Sequence, residues 1–345
     1  MATAKKLPSG QWRALVYSHT ETIDGKQKRI YESFTAPTKK EAEYLAAEFS
    51  LNKKRRRTNC TVGEALETYV NNKENILSPS TLRLYRSYIN KYYSSLKPLP
   101  IDKLSNSQVQ AEINSLSAHL SPKSVANIYG LLQTALLAQY PKIDIEISLP
   151  KRQKREIAIP TSSQIKCMLD YTEGSQLHLP IVLAFSMGLR RGEIAGLKWT
   201  DIDFEKRTMH VHSSVVLNDK KSWVTKQPKS YEGDRLLDIP DIAYEELHSI
   251  FANANSEYVY PYRPSAISNS FVRLNKVLGY NFRFHDLRHY FASVMLSVNV
   301  PDKYAMRRMG HATNAVLKNV YQHLMSEKDN EVTATINTYF DENFK

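Results

Sequence analysis

Cysteine is scarce. The chain has two in 345 residues, Cys60 and Cys167, far apart and outside any Cys-x-x-Cys pattern. No disulfide framework follows from such usage, and reduced thiols in a cytosolic protein are expected. Long apolar runs are missing too. The longest, Leu179 to Leu189, contains Pro180 and is too short to span a bilayer, and the opening MATAKKLPSG holds no hydrophobic signal region, so no membrane association is expected. There is no glycine-rich phosphate loop, and no cluster of acids stands ready for a divalent metal, so neither a cofactor nor a metal is expected. Acids are in deficit overall: 35 against 47 Lys plus Arg, a net charge of +12 and a pI near 9.4. A polyanionic partner is implied.

The surplus charge is uneven. Residues 1–57 hold 13 basic and 6 acidic side chains, residues 58–155 hold 12 and 7, and residues 156–345 hold 22 of each. The front of the chain therefore reads as a clamp for phosphates in general, while the back must make phosphate contacts with individually placed residues. Residues 9–36 alternate apolar and polar about Asp24-Gly25, a hairpin signal, with Arg13 on the first strand. Thr38 caps a following helix with Ala42, Leu45, Ala46 and Phe49 as its expected inner face. Lys53, Lys54, Arg55, Arg56 and Arg57 form a charge run expected to act as a linker touching phosphates. Thr61 with Glu64, Ser78-Pro79, Ser105 with Gln108 and Ser121-Pro122 each mark a helix start. They outline a bundle of about four helices over residues 59–140, with Arg83, Arg86, Lys91 and Lys123 available to phosphates. A second basic cluster, Lys151, Arg152, Lys154 and Arg155, lies in a proline-bearing stretch where composition changes, which places a domain boundary there.

In the back half, Thr161 and Gln164 open a helix through another capping box. An apolar helix over residues 180–187 ends at Gly188, and Arg190 falls in the turn before the next helix, where backbone N–H groups favour an anion. Residues 208–217 and 223–227 alternate as strands about Asn218-Asp219, Arg235 to Ile239 makes a third, and Lys229 sits in the polar loop between the last two. A helix starting near Asp286 puts His285 and Arg288 on one face. Gly310 reads as a helix C-cap, leaving His311 in the turn before a helix that carries Tyr321 near its end.

With these residues assembled, the chain resembles the tyrosine recombinase family, in particular phage and conjugative-transposon integrases. The carrying segments are GLRRGEIAGLKWTDID, the PKS of the hairpin loop with RLLDIP after it, FHDLRHYFAS and GHATNAVLKNVYQHL, in family order and with the family's ten-residue step from His311 to Tyr321. The resemblance implies that Tyr321 is a nucleophile forming a 3'-phosphotyrosyl link to DNA. It implies that Arg190 and Arg288 grip the nonbridging oxygens, a task for bidentate donors. Lys229 becomes the general acid, with Lys226 as the alternative because the loop reads PKSYEGDR. His285 takes the tyrosine proton, His311 hydrogen-bonds the phosphate, and Glu193 holds Arg190 or His285 in place. Strand exchange would need neither metal nor ATP, because the phosphotyrosine conserves the linkage energy.

The implied architecture is multidomain. A small N-terminal sheet-plus-helix arm module (1–52) leads through a basic linker (53–58) to an all-α core-binding bundle (59–145). A second linker (146–160) precedes a mainly α, α+β catalytic domain with a small antiparallel sheet (161–325) and a tail (326–345) that docks on a neighbouring protomer through Val332, Ile336, Tyr339, Phe340 and Phe344. Implied partners are double-stranded DNA attachment sites of core and arm type, a homotetramer in the synaptic complex formed from free monomers, an excisionase and a host DNA-bending protein, at the bacterial nucleoid. Three other readings compete. His285 with His289, and His210 with His212, have metal-ligand spacings that suit a metallohydrolase. A type IB topoisomerase shares the chemistry, and a DNA-binding regulator could stand on the same scaffold.

Overall fold

Local signals start the helices of this chain and burial selects their faces. The computed structural model describes residues 3–23, 26–56, 60–141, 143–151, 158–228, 231–310 and 337–342. By contacts the chain divides into Met1–Leu77 with Leu84–Gln153, and Ser78–Arg83 with Lys154–Lys345. It is mainly helical, with small antiparallel sheets near the N-terminus and in the C-terminal unit.

In the first unit, β1 (Lys5–Lys6), β2 (Trp12–Ile23) and β3 (Lys26–Ala36) form an antiparallel sheet in that order. The turn at Asp24-Gly25 lies outside the described residues, but the ladder reaches Ile23 opposite Lys26, as a hairpin there requires. Ala14, Val16 and Ala36 face α1 (Lys39–Arg56), whose Ala42 and Ala46 are fully buried against them with Trp12, Phe34 and Phe49 at the rim. Two alanines one turn apart let the helix lie close on the sheet. Leu45, expected inward, is exposed, because it sits to one side of the stripe that the alanines define. The helix also runs on through Arg56, so Lys53 to Arg56 are helical rather than extended linker. Lys and Arg are good helix formers and suit a helix C-terminus.

The remaining helices of this unit are α2 (Val62–Asn72), α4 (Asn106–Ser117), α5 (Pro122–Gln139) and, from Leu84 on, α3 (Pro79–Lys91). Glu64 and Thr61 exchange both capping-box hydrogen bonds at 2.8 and 3.2 Å, and Ser105 with Gln108 does the same at 3.0 and 3.3 Å. α5 supplies the centre, burying Val125, Ile128, Leu131, Leu132, Ala135 and Leu136. Tyr93 is buried as well and donates its hydroxyl to the Ile128 carbonyl at 2.6 Å.

The second unit contains α6 (Ser162–Thr172), α7 (His178–Met187), α8 (Arg191–Ile194), β4 (Ile202–Asp203), β5 (Thr208–Val211), β6 (Ser214–Leu217), β7 (Trp223–Lys226), β8 (Arg235–Asp238), α9 (Asp241–Phe251), α10 (Pro264–Leu278), α11 (Asp286–Ser297) and α12 (Asp302–Met309). α7 is the axis. Leu179 to Ala184 are all buried, and α9 and α11 pack on it, which is why its sequence is apolar all round. The expected single strand over residues 208–217 is two. Among the described residues β5 pairs with β4 and β8, whereas β6 pairs with β7. The break falls where the His212 ring meets Asp201 at 3.0 Å and Ser213 donates to the Gly196 carbonyl at 3.0 Å, contacts that tie this stretch to α8 and its exit rather than to a ladder. No helix among the described residues is long and apolar enough to cross a membrane.

Candidate active site

α7 ends at Gly188, whose left-handed φ of 68° reverses the chain. A Cβ there would lie 2.6 Å from Phe291 Cδ1, so glycine is required for the turn and for the approach of α11. Arg190 follows in extended conformation just ahead of α8. Glu193, one turn on, accepts from the Arg190 backbone N–H through Oε2 at 2.9 Å and from Arg190 Nη1 through Oε1 at 2.6 Å. A carboxylate at a helix start is the expected partner for open backbone donors. Gly192 lets β6 lie against this turn, since a Cβ would fall 2.5 Å from Ser214 Oγ and 3.0 Å from the Val215 carbonyl.

Arg288 lies on the inner face of α11, 1% exposed. It donates to the Gly188 carbonyl and to the Met309 carbonyl. Arg190 donates through Nη2 to the next carbonyl, Gly310, at 3.1 Å. Both guanidiniums therefore converge on the end of α12, immediately before His311. Gly310 closes that helix with a φ of 58°, and a Cβ on it would lie 2.9 Å from both Arg235 Nη1 and the Glu232 carbonyl.

His285 immediately precedes α11, exposed over the residue as a whole, in a cleft that Leu189, Arg190 and Phe284 also line. Crowding around the ring, then His289 and the guanidiniums of Arg288, Arg190 and Arg283, pull its pKa down to about 4. The imidazole is thus neutral at pH 7, with a lone pair free to take a proton. The His289 ring stands edge-on to it, 5.1 Å between centroids, and is also shifted down by burial. His289 Nδ1 is buried and meets no hydrogen-bond partner among the described residues, so the two rings are not a mutually satisfied helix pair. His210 and His212 face different carboxylates, Asp234 at 2.7 Å and Asp201 at 3.0 Å.

Glu193 is the electrostatic centre. Burial raises its pKa, but Arg235, Arg190 and Arg288 outweigh that and hold the carboxyl down to about 2. The sequence reading passed over Arg235. Its guanidinium, 1% exposed as a side chain, meets Glu193 Oε2 at 3.0 Å and Oε1 at 3.4 Å, and donates to the carbonyls of Gly233 at 3.2 Å and Arg308 at 2.9 Å. A signal was present: Arg235 occupies the same face of β8 as buried Leu237, and an arginine at an inward strand position needs a buried acid.

Lys229, His311 and Tyr321 lie outside the described residues, as do Arg57, Arg152, Lys154 and Arg155. Lys226 is the last residue of β7, opposite Ser214. Arg13 on β2, Arg83 on α3, Lys123 on α5 and Lys151 are exposed, and Arg86 pairs with Glu74 at 3.3 Å. In the tail, residues 337–342 are helical, with Tyr339 and Phe340 exposed.

Residues 160–328 match the phage integrase family model, and residues 61–117 match the phage integrase N-terminal SAM-like domain. A tyrosine recombinase XerC-like protein of Caldanaerobacter subterraneus subsp. tengcongensis is 27% identical over 377 residues, covering 94% of this chain and 96% of that one. The ICEBs1 integrase of Bacillus subtilis is 27% identical over 367 residues, covering 96% and 98%. Among solved structures, the Tn1549 transposon integrase in complex with transposon right end DNA superposes with a TM-score of 0.65 at 19% identity, covering 78% of this chain and 99% of that chain. A lambda integrase tetramer bound to a Holliday junction gives 0.60 at 18% identity, covering 91% and 96%. These likenesses establish the fold.

Proposed function

The chain is built from phage integrase family domains, those of the tyrosine recombinases, and from that premise we propose that it is the site-specific recombinase of a mobile element, integrating and excising DNA through a phosphotyrosine intermediate. The observation that carries this reading is the convergence of Arg190 and Arg288 on the adjacent carbonyls of Gly310 and Met309. Two guanidiniums gathered at one turn form an oxyanion grip for a tetrahedral or pentacoordinate centre, and that turn leads directly to His311 and, ten residues later, Tyr321.

In the proposed reaction the Tyr321 hydroxyl attacks a backbone phosphorus and its proton passes to neutral His285. The bond from phosphorus to the 5'-oxygen breaks, and that oxygen takes a proton from Lys229, with Lys226 the alternative donor. Arg190 and Arg288 neutralise the charge building on the nonbridging oxygens, and His311 bonds one of them. A 5'-hydroxyl from a second duplex then reverses the step. Arg288 is covered by the Met309 turn, so a phosphate reaches it by taking the place of that carbonyl. The basic residues Arg13, Lys53 to Arg57, Arg83, Arg86 and Lys123, with Lys151, Arg152, Lys154 and Arg155, would hold arm and core DNA through phosphates.

Four protomers on two paired duplexes would carry out the exchange in the nucleoid, the chain being monomeric when free. The tail beyond residue 326 would dock on a neighbour, with an excisionase and a DNA-bending protein setting direction. The test is a nicked duplex carrying the sequence that this chain selects from a randomised pool. A covalent protein–DNA adduct is expected in EDTA and without ATP, absent in Tyr321→Phe. An adduct that persists in Tyr321→Phe, or that needs added metal, would overturn the reading.

A further inference from the structure

Arg235 contacts three segments at once. Its guanidinium bonds the Glu193 carboxylate, the Gly233 carbonyl that follows the Lys229 loop, and the Arg308 carbonyl in the last turn of α12. It also fills the space against which Gly310 turns, where a Cβ would come within 2.9 Å of its Nη1. Each of these segments leads to a different group of the proposed chemistry: Glu193 to Arg190, the loop to Lys229, and the end of α12 to His311.

A buried ion pair of this kind is a poor source of stability. Taking both charges from water is costly, and an apolar residue at an inward strand position would serve the core as well. What the guanidinium offers and a leucine lacks is a set of directed donors. A planar fork with fixed angles can hold a carboxylate on one edge and carbonyls on the others.

We propose that Arg235 is a positioning residue for strand cleavage: it orients Glu193, and through it Arg190, while tying Gly233 and the α12 turn to that pair. The inference rests on the recombinase reading for its chemistry and on the contacts above for its geometry. Without this cation the Glu193 carboxyl loses the largest of the influences that keep it ionised, so cleavage becomes more sensitive to acid pH than in the native chain.

The experiment compares the full-length chain with Arg235→Met, Arg235→Lys, Glu193→Gln and the Arg235→Met/Glu193→Gln double variant. Single-turnover cleavage of the nicked duplex is followed from pH 5 to 8, and affinity for the unnicked duplex is measured alongside. Arg235→Met is expected to slow cleavage by about 100-fold, the cost of a misplaced reacting group, with affinity within about threefold of native. Arg235→Lys should recover part of the rate. The double variant should be no slower than the slower single variant, because both act through one carboxylate. The rate of Arg235→Met should fall from pH 7 to pH 5 more steeply than that of the native chain.

Native cleavage in Arg235→Met, or losses that multiply in the double variant, would overturn the proposal in favour of a packing role. A native chain that forms no Tyr321 adduct would sink the recombinase reading alone. The positioning claim then rests on the Nε–H resonance of Arg190 in arginine-labelled protein, which is expected to shift in Arg235→Met and would have to stay fixed for the claim to fail.

Discussion

Arg190 donates through Nη2 to the Gly310 carbonyl at 3.1 Å, joining residues 120 apart in the chain, while its Nη1 holds Glu193. A lysine at this position could reach one of these oxygens but not both. Arg190→Lys is therefore expected to slow adduct formation by about 100- to 1000-fold with little change in duplex affinity, since one cation among many phosphate contacts is retained. Rapid-quench cleavage assays with gel-shift titrations check this. A fall in affinity as large as the fall in rate would make Arg190 an ordinary DNA contact.

Removing Glu193 should unfold the C-terminal unit more readily. Glu193→Ala leaves the Arg235 guanidinium buried without its carboxylate, a mechanism that costs roughly 3 to 5 kcal/mol. Urea unfolding in a Trp12→Phe background, where Trp199 and Trp223 report on that unit alone, measures it. A loss below about 1 kcal/mol, the level of an exposed ion pair, would contradict the burial described above.

The left-handed glycines separate strain from collision. Gly279 has a φ of 71° and nothing near its missing Cβ, whereas Gly188 has a φ of 68° and Phe291 at 2.6 Å. Gly279→Ala is expected to cost about 1 to 2 kcal/mol for the backbone alone, and Gly188→Ala visibly more, as the position of Phe291 must change. Equal melting temperatures for the two variants would show that the ring yields freely.

Acid should loosen the C-terminal unit in two stages. His285 resists protonation in the fold but accepts a proton in the unfolded chain, so its relative contribution to stability is present above 6.5 and is lost as pH falls toward about 4. His289 acts in the same direction. Glu193 contributes above 4.5 and loses that contribution as pH falls toward about 2. The urea midpoint should decline from pH 7 to pH 5, and decline less in His285→Gln/His289→Gln. A midpoint that is flat over that range in the native chain defeats the expectation.

Much of this organisation was legible because it is local. Thr61 with Glu64, Ser105 with Gln108 and Thr161 with Gln164 announce helix starts within four residues, and Gly188 and Gly310 announce helix ends. The strand break at His212 and Ser213 was not legible, since alternation continues through it and only contacts with Asp201 and Gly196 reveal it. Arg235 was missed for the same reason. Its partner Glu193 lies 42 residues away, and a charge on an alternating strand reads as surface until its face is known.

Gly188 and Gly310 hand a carbonyl each to Arg288 and Arg190 at turns with no space for a Cβ. Decay of such an enzyme need not begin with a lost charge. A relative retaining every cation, histidine and hydroxyl of the site, yet bearing one extra methyl at either turn, would hold its two grips out of line and count as intact by inspection of its polar residues.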